Sequence, residues 1–146
     1  MIAAYTKDAP ISPPGIPFEL TGQGNDDHLR ELYTGEEDWD RSDRRMFSLG
    51  YELSHELDNG WTLSQGFRYE KFDWEYYGHY VNGRANGGTE ITRGANHQIE
   101  NTTGISLDSR LSGEVFTGNV SHKLLFGLDL RRYEADTRGQ HGGAVL

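Results

Sequence analysis

The fold is decided by residues 46–57, which read MFSLGYELSHEL. From Phe47 to Leu57 the odd positions are apolar except at His55, and the even positions are polar or small. Successive side chains of a β-strand point to opposite faces, so this pattern predicts a strand with one apolar and one polar face.

The alternation is repeated along the chain, with reverse turns between the repeats. Asp58-Asn59-Gly60 follows directly, and Asn-Gly between alternating segments is a strong hairpin signal. A second strand begins at Trp61, a third covers 99–115, and a fourth begins at Val120 after the short turn at 117–119. With the segment before the first long loop, the sequence predicts an all-β chain of about five antiparallel, up-and-down strands.

The composition excludes several classes of protein. Only 34% of the residues are hydrophobic, the mean hydropathy is -0.76, and no apolar run approaches the ~20 residues of a membrane-spanning helix. A net charge of -9 argues against a nucleic-acid partner, which requires clustered Lys and Arg. The absence of Cys excludes disulfides and thiolate metal sites.

The connections between the strands also carry information. Polar segments at 9–43 and 82–96 predict two long loops, which alternate with the short turns. Short turns on one side and long loops on the other are typical of outer-membrane β-barrels. At Phe72 the apolar set moves to even positions, with Trp74 and Tyr76, which predicts either a bulge or a strand that continues beyond the bilayer into different surroundings.

Four stretches together resemble a known family: residues 35–41 (GEEDWDR), 47–55 (FSLGYELSH), 61–69 (WTLSQGFRY) and 120–129 (VSHKLLFGLD). They are similar to the barrel of TonB-dependent ferric-siderophore receptors, especially the ferrichrome-type hydroxamate branch. The resemblance extends from about Tyr5 to Arg138.

The resemblance implies a plugged barrel of the ~22-stranded class in the bacterial outer membrane, in contact with its lipid. Such a receptor binds a ferric siderophore outside and imports it with energy from the TonB complex. Iron arrives inside the chelate, so no protein-bound cofactor is expected. Because the smallest barrels have ~8 strands, we expect residues 1–146 to be a partial barrel domain, without the plug, the energy-coupling segment and the remaining strands.

The resemblance also implies a binding site at the junction of a strand and an extracellular loop. Candidate contacts with the siderophore are the ring side chains of one short segment: Trp74, Tyr76, Tyr77, His79 and Tyr80. Tyr77, His79 and Tyr80 are preferred, and an interfacial aromatic girdle or packing of the loop is the alternative for the whole set. Trp39 is a weaker candidate, for which packing of the loop is the alternative.

Acidic side chains suggest no catalytic or metal site. Asp38, Asp40 and Asp43 have a spacing that would suit a hard cation, but the interleaved arginines favour a solvated loop. No catalytic signature is recognisable, so no enzyme is predicted. The charged residues at polar strand positions are interpreted as lumen lining: Glu52, Arg68, Glu100, Asp108, Arg110, Lys123, Asp129 and Arg131.

Two rival hypotheses fit the same alternation. One is another outer-membrane barrel, such as a porin or a small enzyme barrel. The other is a soluble β-barrel or sandwich that binds a small apolar ligand around a dry core.

Overall fold

The computed structural model describes residues 1–11, 13–16, 31–88 and 90–145. They contain a five-stranded sheet with the strand order β1-β2-β3-β4-β5. The strands are β1 (Ile2–Asp8), β2 (Arg41–Glu56), β3 (Thr62–Ala85), β4 (Glu90–Thr117) and β5 (Val120–Val145). Each strand pairs with its neighbour along the chain, so the predicted all-β, antiparallel up-and-down arrangement is confirmed.

Both predicted short turns are confirmed. Between β2 and β3 the Leu57 amide donates to the Trp61 carbonyl at 2.7 Å, and the Gly60 amide donates to the Leu57 carbonyl at 3.0 Å. Gly60 has a φ of +80°, which glycine adopts without steric cost. A turn that ends on such a glycine is a common three-residue hairpin loop. Gly118 and Asn119 connect β4 to β5.

The prediction of a long loop over 82–96 is wrong. β3 continues to Ala85 and β4 begins at Glu90. The tight connection contains Asn86 and Gly87, whose φ angles of 49° and 70° are both positive, as in a type I′ turn. Residues 82–96 carry polar side chains on both faces, so they lack the alternation that predicts a strand. Inter-strand hydrogen bonds form without that alternation. The Asn-Gly pair was the signal for the turn.

The other predicted long loop is found between β1 and β2. Its described residues, 9–11, 13–16 and 31–40, lie outside the strands, and β2 begins at Arg41, within the predicted range of 9–43. Residue 12 and residues 17–30 of the prediction lie outside the described residues. No helix among the residues that the structure describes is long and apolar enough to cross a membrane.

The chain forms two compact units. The first unit contains Met1–Thr6, Met46–Phe72 and Thr102–Ala135. The second unit contains Lys7–Arg45, Asp73–Asn101 and Asp136–Leu146. The predicted change of phase at Phe72 therefore falls where β3 passes from one unit to the other.

β2 and β3 keep one register through this change of phase. Tyr51 stacks on Phe67 with ring centroids 5.7 Å apart, and the guanidinium of Arg41 lies 4.0 Å from the ring centroid of Tyr77. Positions 41 to 51 and 67 to 77 are equally spaced, so no residue is inserted between the two pairs. This favours a strand that continues into different surroundings over a bulge.

The first unit exposes its apolar face. Large hydrophobic side chains on this face are between 37% and 57% exposed: Phe47, Leu49, Tyr51, Leu53, Leu63, Ile105, Leu124, Phe126, Leu128 and Leu130. Among the described residues no large side chain is fully buried. The unit thus has no dry core, and its apolar face suits contact with lipid.

The first unit also holds an open depression of about 900 Å³, which is lined by both polar and apolar side chains. Six of the eight charged residues predicted to line the lumen border this depression: Glu52, Arg68, Asp108, Arg110, Asp129 and Arg131. The depression thus brings charged residues of β2, β3, β4 and β5 together with apolar residues such as Leu53 and Ile105.

Candidate functional site

The five predicted contact residues lie on β3, within the second unit, and the strand divides them between two faces. Tyr77 and His79 share one face, which we call the Tyr77 face. Trp74, Tyr76 and Tyr80 share the other, which we call the Trp74 face. The division follows from the two-residue period of a strand, and the contacts described below agree with it.

Tyr77 is enclosed by its neighbours. The guanidinium of Arg41 on β2 lies 4.0 Å from the ring centroid of Tyr77. The His97 ring on β4 stacks on Tyr77 with a centroid distance of 4.0 Å and an interplanar angle of 13°. Trp39 contacts Tyr77 edge-on, with centroids 5.1 Å apart. Because β2 and β4 flank β3, the two ring faces of Tyr77 are both covered.

The Tyr77 hydroxyl is also used within the protein. It donates to Oε1 of Glu75 at 2.9 Å, and Nε2 of His97 lies 3.1 Å from the same oxygen. The hydrogen bonds from Tyr77 and His97 lower the pKa of Glu75 below its usual value. The hydrogen bond to Glu75 in turn raises the pKa of Tyr77.

His79 is held by a buried carboxylate at the start of β2. Oδ1 of Asp40 accepts from the backbone amide of His79 at 2.9 Å and lies 2.8 Å from Nδ1 of its ring. The other oxygen, Oδ2, accepts from the Tyr33 hydroxyl at 2.6 Å and from the Glu36 amide at 2.9 Å. Asp40 thereby joins the loop at 31–40 to β3.

The pKa values in this network follow from burial and hydrogen bonding. Burial acts to raise the pKa of Asp40, but the hydrogen bonds from Tyr33, Glu36 and His79 outweigh it and lower this pKa. Burial, followed by the hydrogen bond to Asp40, raises the pKa of Tyr33 to about 12. Both shifts favour an ionised Asp40 beside a neutral Tyr33.

The structure does not assemble Asp38, Asp40 and Asp43 into a common site. Asp40 is engaged by Tyr33 and His79, and Asp43 lies 3.9 Å from Arg41. Within 1–11, 13–16, 31–88 and 90–145, no three His, Asp or Glu side chains are grouped as metal ligands.

A second anchor of the loop comes from Arg93 on β4. Its Nη1 donates to the carbonyls of Thr34 at 3.2 Å and Gly35 at 2.6 Å. Its Nη2 lies 3.4 Å from Oε2 of Glu36. The loop is therefore held on β3 by Asp40 and on β4 by Arg93.

The rings of the Trp74 face differ in exposure, because Trp74 and Tyr76 are half-buried and Tyr80 is exposed. The rings of Trp74 and Tyr76 are 5.6 Å apart and tilted by 34°. Nε1 of Trp74 donates to Oγ of Ser42 at 2.9 Å, which fixes the indole against β2. Tyr80 is 42% exposed. The rings of Trp74 and Tyr76 thus contact each other, and all three residues lie on one face of β3.

Two buried glycines lie under the tyrosines of the Trp74 face. A Cβ added to Gly94 would lie 2.5 Å from Oη and 2.8 Å from Cε2 of Tyr80. A Cβ added to Gly78 would overlap Oη of Tyr76 and lie 3.0 Å from its Cε1. The Tyr76 and Tyr80 rings thus occupy the space that a side chain at either glycine would need.

One buried acceptor on β4 has no partner in the part of the chain that the structure describes. Tyr77 on β3 faces His97 on β4, so the next pair along the two strands is Gly78 and Asn96. Oδ1 of Asn96 is buried and has no hydrogen-bond partner among the described residues, and such a group is costly to leave unpaired.

Several of these residues were missed in the sequence. Glu75, Arg93, His97 and the two glycines become neighbours of the predicted residues only through strand pairing. The alternation after Phe72 did separate Trp74, Tyr76 and Tyr80 from Tyr77 and His79. That alternation could have divided the five predicted contact residues between two faces from the sequence alone.

Comparison with known proteins agrees with this architecture. The sequence model of a family described as "TonB dependent receptor-like, beta-barrel" matches residues 2–145. The ferrioxamine B receptor of Salmonella typhimurium (strain LT2) is 36% identical over 111 residues, which are 76% of this chain and 16% of the receptor. The ferrioxamine receptor of Yersinia enterocolitica is 24% identical over 116 residues, 80% of this chain and 16% of that receptor.

The chain thus spans about one sixth of the length of these relatives (16%). Members of this family are receptors of the bacterial outer membrane, and the family is not one of enzymes. Neither a porin nor a soluble β-barrel fits the match, so both rival hypotheses are set aside. With the match covering residues 2–145 and five antiparallel strands in place, the chain belongs to the TonB-dependent receptor-like β-barrel family.

Proposed function

We propose that this chain is a wall segment of an outer-membrane receptor that binds a ferric siderophore and imports it with TonB-coupled energy. The relatives named ferrioxamine B receptor and ferrioxamine receptor make a ferric hydroxamate chelate of the ferrioxamine type the proposed ligand. Iron is carried inside the chelate, so the protein contacts the organic shell and supplies no ligand to the metal.

The observation that carries this proposal is the aromatic surface of the Trp74 face. Trp74, Tyr76 and Tyr80 lie on one face of β3, and Tyr77 and His79 lie on the other. Tyr80 is exposed, whereas Trp74 and Tyr76 are half-buried. Aromatic rings and a tyrosine hydroxyl at such positions can pack on the methylene groups of a chelate and bond to its oxygens.

The Tyr77 face supports the loop instead of offering a second binding surface. The ring of Tyr77 is covered by Arg41 and His97, and its hydroxyl bonds to Glu75. His79 is engaged by Asp40. Of the five predicted contacts, Trp74, Tyr76 and Tyr80 are therefore the proposed siderophore contacts, and Tyr77 and His79 are proposed supports.

The proposal includes two partners of the intact receptor, which are outer-membrane lipid and the TonB complex. The exposed apolar face of the first unit fits contact with outer-membrane lipid. Contact with the TonB complex is proposed for other parts of the intact receptor. The chain would supply wall and binding surface, while the import step needs the complete protein.

The test is binding of ferrioxamine B to the intact receptor in detergent micelles, followed by quenching of Trp fluorescence. We expect Tyr80→Ala to weaken binding by about tenfold, which is about 1.4 kcal/mol. Phe47→Ala is the matched control, because Phe47 is 40% exposed and Tyr80 is 42% exposed, but Phe47 lies on the apolar face.

The outcomes separate clearly. Weaker binding by Tyr80→Ala with unchanged binding by Phe47→Ala supports the proposed surface. Wild-type receptor that binds no ferric hydroxamate contradicts the proposed function. Equal losses in the two variants contradict the assignment of the site.

A further inference from the structure

Two glycines of the Trp74 face lie beneath the tyrosine rings that are proposed to contact the chelate. Gly78 and Gly94 are both buried, and each is covered by a tyrosine of the proposed contact surface. Tyr76 lies along β3 over Gly78, and Tyr80 reaches across to β4 over Gly94. The absence of a side chain at each glycine allows the rings to approach the sheet.

We propose that Gly78 and Gly94 are specificity-determining positions, which set the height and tilt of the tyrosine rings against which the chelate packs. The inference rests on the proposed function. Neither glycine touches the ligand, so both act as positioning residues through Tyr76 and Tyr80.

The physical argument concerns steric overlap. An alanine methyl at Gly94 would fall 2.5 Å from Oη of Tyr80. One at Gly78 would fall 3.0 Å from Cε1 of Tyr76. In each case another atom of the same tyrosine would be closer still. Contacts this short cannot persist, so the ring must rotate away from the sheet. A raised ring projects into the space above the surface and presents its edge instead of its face.

The consequence is a preference among ligands. Rings that lie against the sheet leave a broad, low surface, which suits a bulky chelate with a shell of methylene groups. A raised ring would narrow this space, and the largest chelates would lose the most contact. Substitution at either glycine should therefore change the relative affinity for large and small ferric hydroxamates.

A matched control exists in the first unit. Gly113 lies under the indole of Trp61, where an added Cβ would fall 2.6 Å from Cε2. Trp61 also contacts Phe126 of the exposed apolar face, with centroids 6.2 Å apart. Gly113→Ala thus creates the same kind of overlap on a face that the ligand does not use.

The experiment measures dissociation constants of ferrioxamine B and of a smaller ferric monohydroxamate complex, with the melting temperature, in the intact receptor. We expect Gly94→Ala and Gly78→Ala to weaken ferrioxamine B binding by about tenfold (~1.4 kcal/mol) and the smaller chelate by less. Gly113→Ala should lower the melting temperature about as much as Gly94→Ala and Gly78→Ala do, and it should leave both affinities unchanged.

A double-mutant cycle tests the route of the effect. If Gly94 acts through Tyr80, then Gly94→Ala should add little to the loss of affinity in Tyr80→Ala. Folded glycine variants that bind both chelates as the wild type does, or a Gly113→Ala variant that binds equally weakly, would overturn the inference alone. If Gly94→Ala does not fold, Gly78→Ala with Tyr76→Ala gives the same cycle. A wild type that binds neither chelate would overturn the inference and the proposed function together.

Discussion

Asp40 and His79 are joined twice through one oxygen atom. Oδ1 of Asp40 lies 2.8 Å from Nδ1 of the His79 ring and accepts the His79 backbone amide at 2.9 Å. The carboxylate of Asp40 is 3% exposed. A loop residue is thus fixed to both the backbone and the side chain of β3.

Replacement of Asp40 by Asn should loosen this loop. Asn has one acceptor oxygen where Asp has two, so either Tyr33 and Glu36 or the His79 amide loses its acceptor. We expect a loss of about 1–3 kcal/mol in the free energy of unfolding, measured by denaturant titration in micelles. Asp38→Asn in the same loop is the control, because Asp38 is exposed and its substitution should change little.

The same network predicts a dependence on acid. Because the pKa of Asp40 is lowered from the usual 3.8, its contribution to stability is complete above that value. It is lost as pH falls through the lower pKa of the folded state. Wild type should therefore lose stability more steeply than Asp40→Asn below the usual pKa, and parallel curves would contradict the network.

Tyr33 should titrate late in alkali. Its pKa is raised to about 12 from 10.0, so its contribution to stability is complete below pH 10 and is lost as pH rises toward 12. Absorbance of tyrosinate measures this directly. Tyr33→Phe should remove the last component of the titration, whereas removal of a component near pH 10 would refute the shift.

The hydrogen bond between Trp74 and Ser42 should stabilise the Trp74 face. Ser42→Ala leaves the half-buried indole N–H without its acceptor, at a cost of about 1–2 kcal/mol. Unfolding followed by Trp emission measures the loss, and Ser54→Ala at an exposed position is the control. In a Trp74→Phe background the Ser42 substitution should cost much less. Equal costs in both backgrounds would rule out this pairing.

The tip of the β3–β4 hairpin should be sensitive to the size of residue 87. Gly87→Ala places a Cβ at a φ of +70°, which costs about 1–2 kcal/mol for an L-residue. Hydrogen exchange of amides near the tip should speed up. Gly66→Ala, where the added Cβ meets no atom within 4 Å, should exchange at the wild-type rate.

Most of the fold could be predicted because its signals are local. The alternation at 46–57 and the glycines at 60 and 118 act between neighbours in the sequence, and each gave the correct strand or turn. The segment 82–96 failed because polar residues stand on both faces of its strands, which leaves no period of two to detect. Its remaining signal, Asn86-Gly87, is as local as the others.

The site could be predicted only in part. The sequence located the aromatic residues of β3, yet the partners that distinguish Tyr77 from Tyr80 lie on other strands. His97 covers the ring of Tyr77, whereas Gly94 leaves room for Tyr80 to lie across the sheet. Such cross-strand neighbours follow from the pairing of β3 with β4, and that pairing was hidden by the missed turn.

Pairing of each strand with its neighbour along the chain also orders the assembly of the sheet. Closing a short loop costs less entropy than closing a long one, and contacts that are local in sequence form fastest. The hairpins β2–β3, β3–β4 and β4–β5 each close over a few residues, whereas β1 must be brought back across 9–40. The three hairpins should therefore form first, with β1 joining the edge of β2 in a later and slower step.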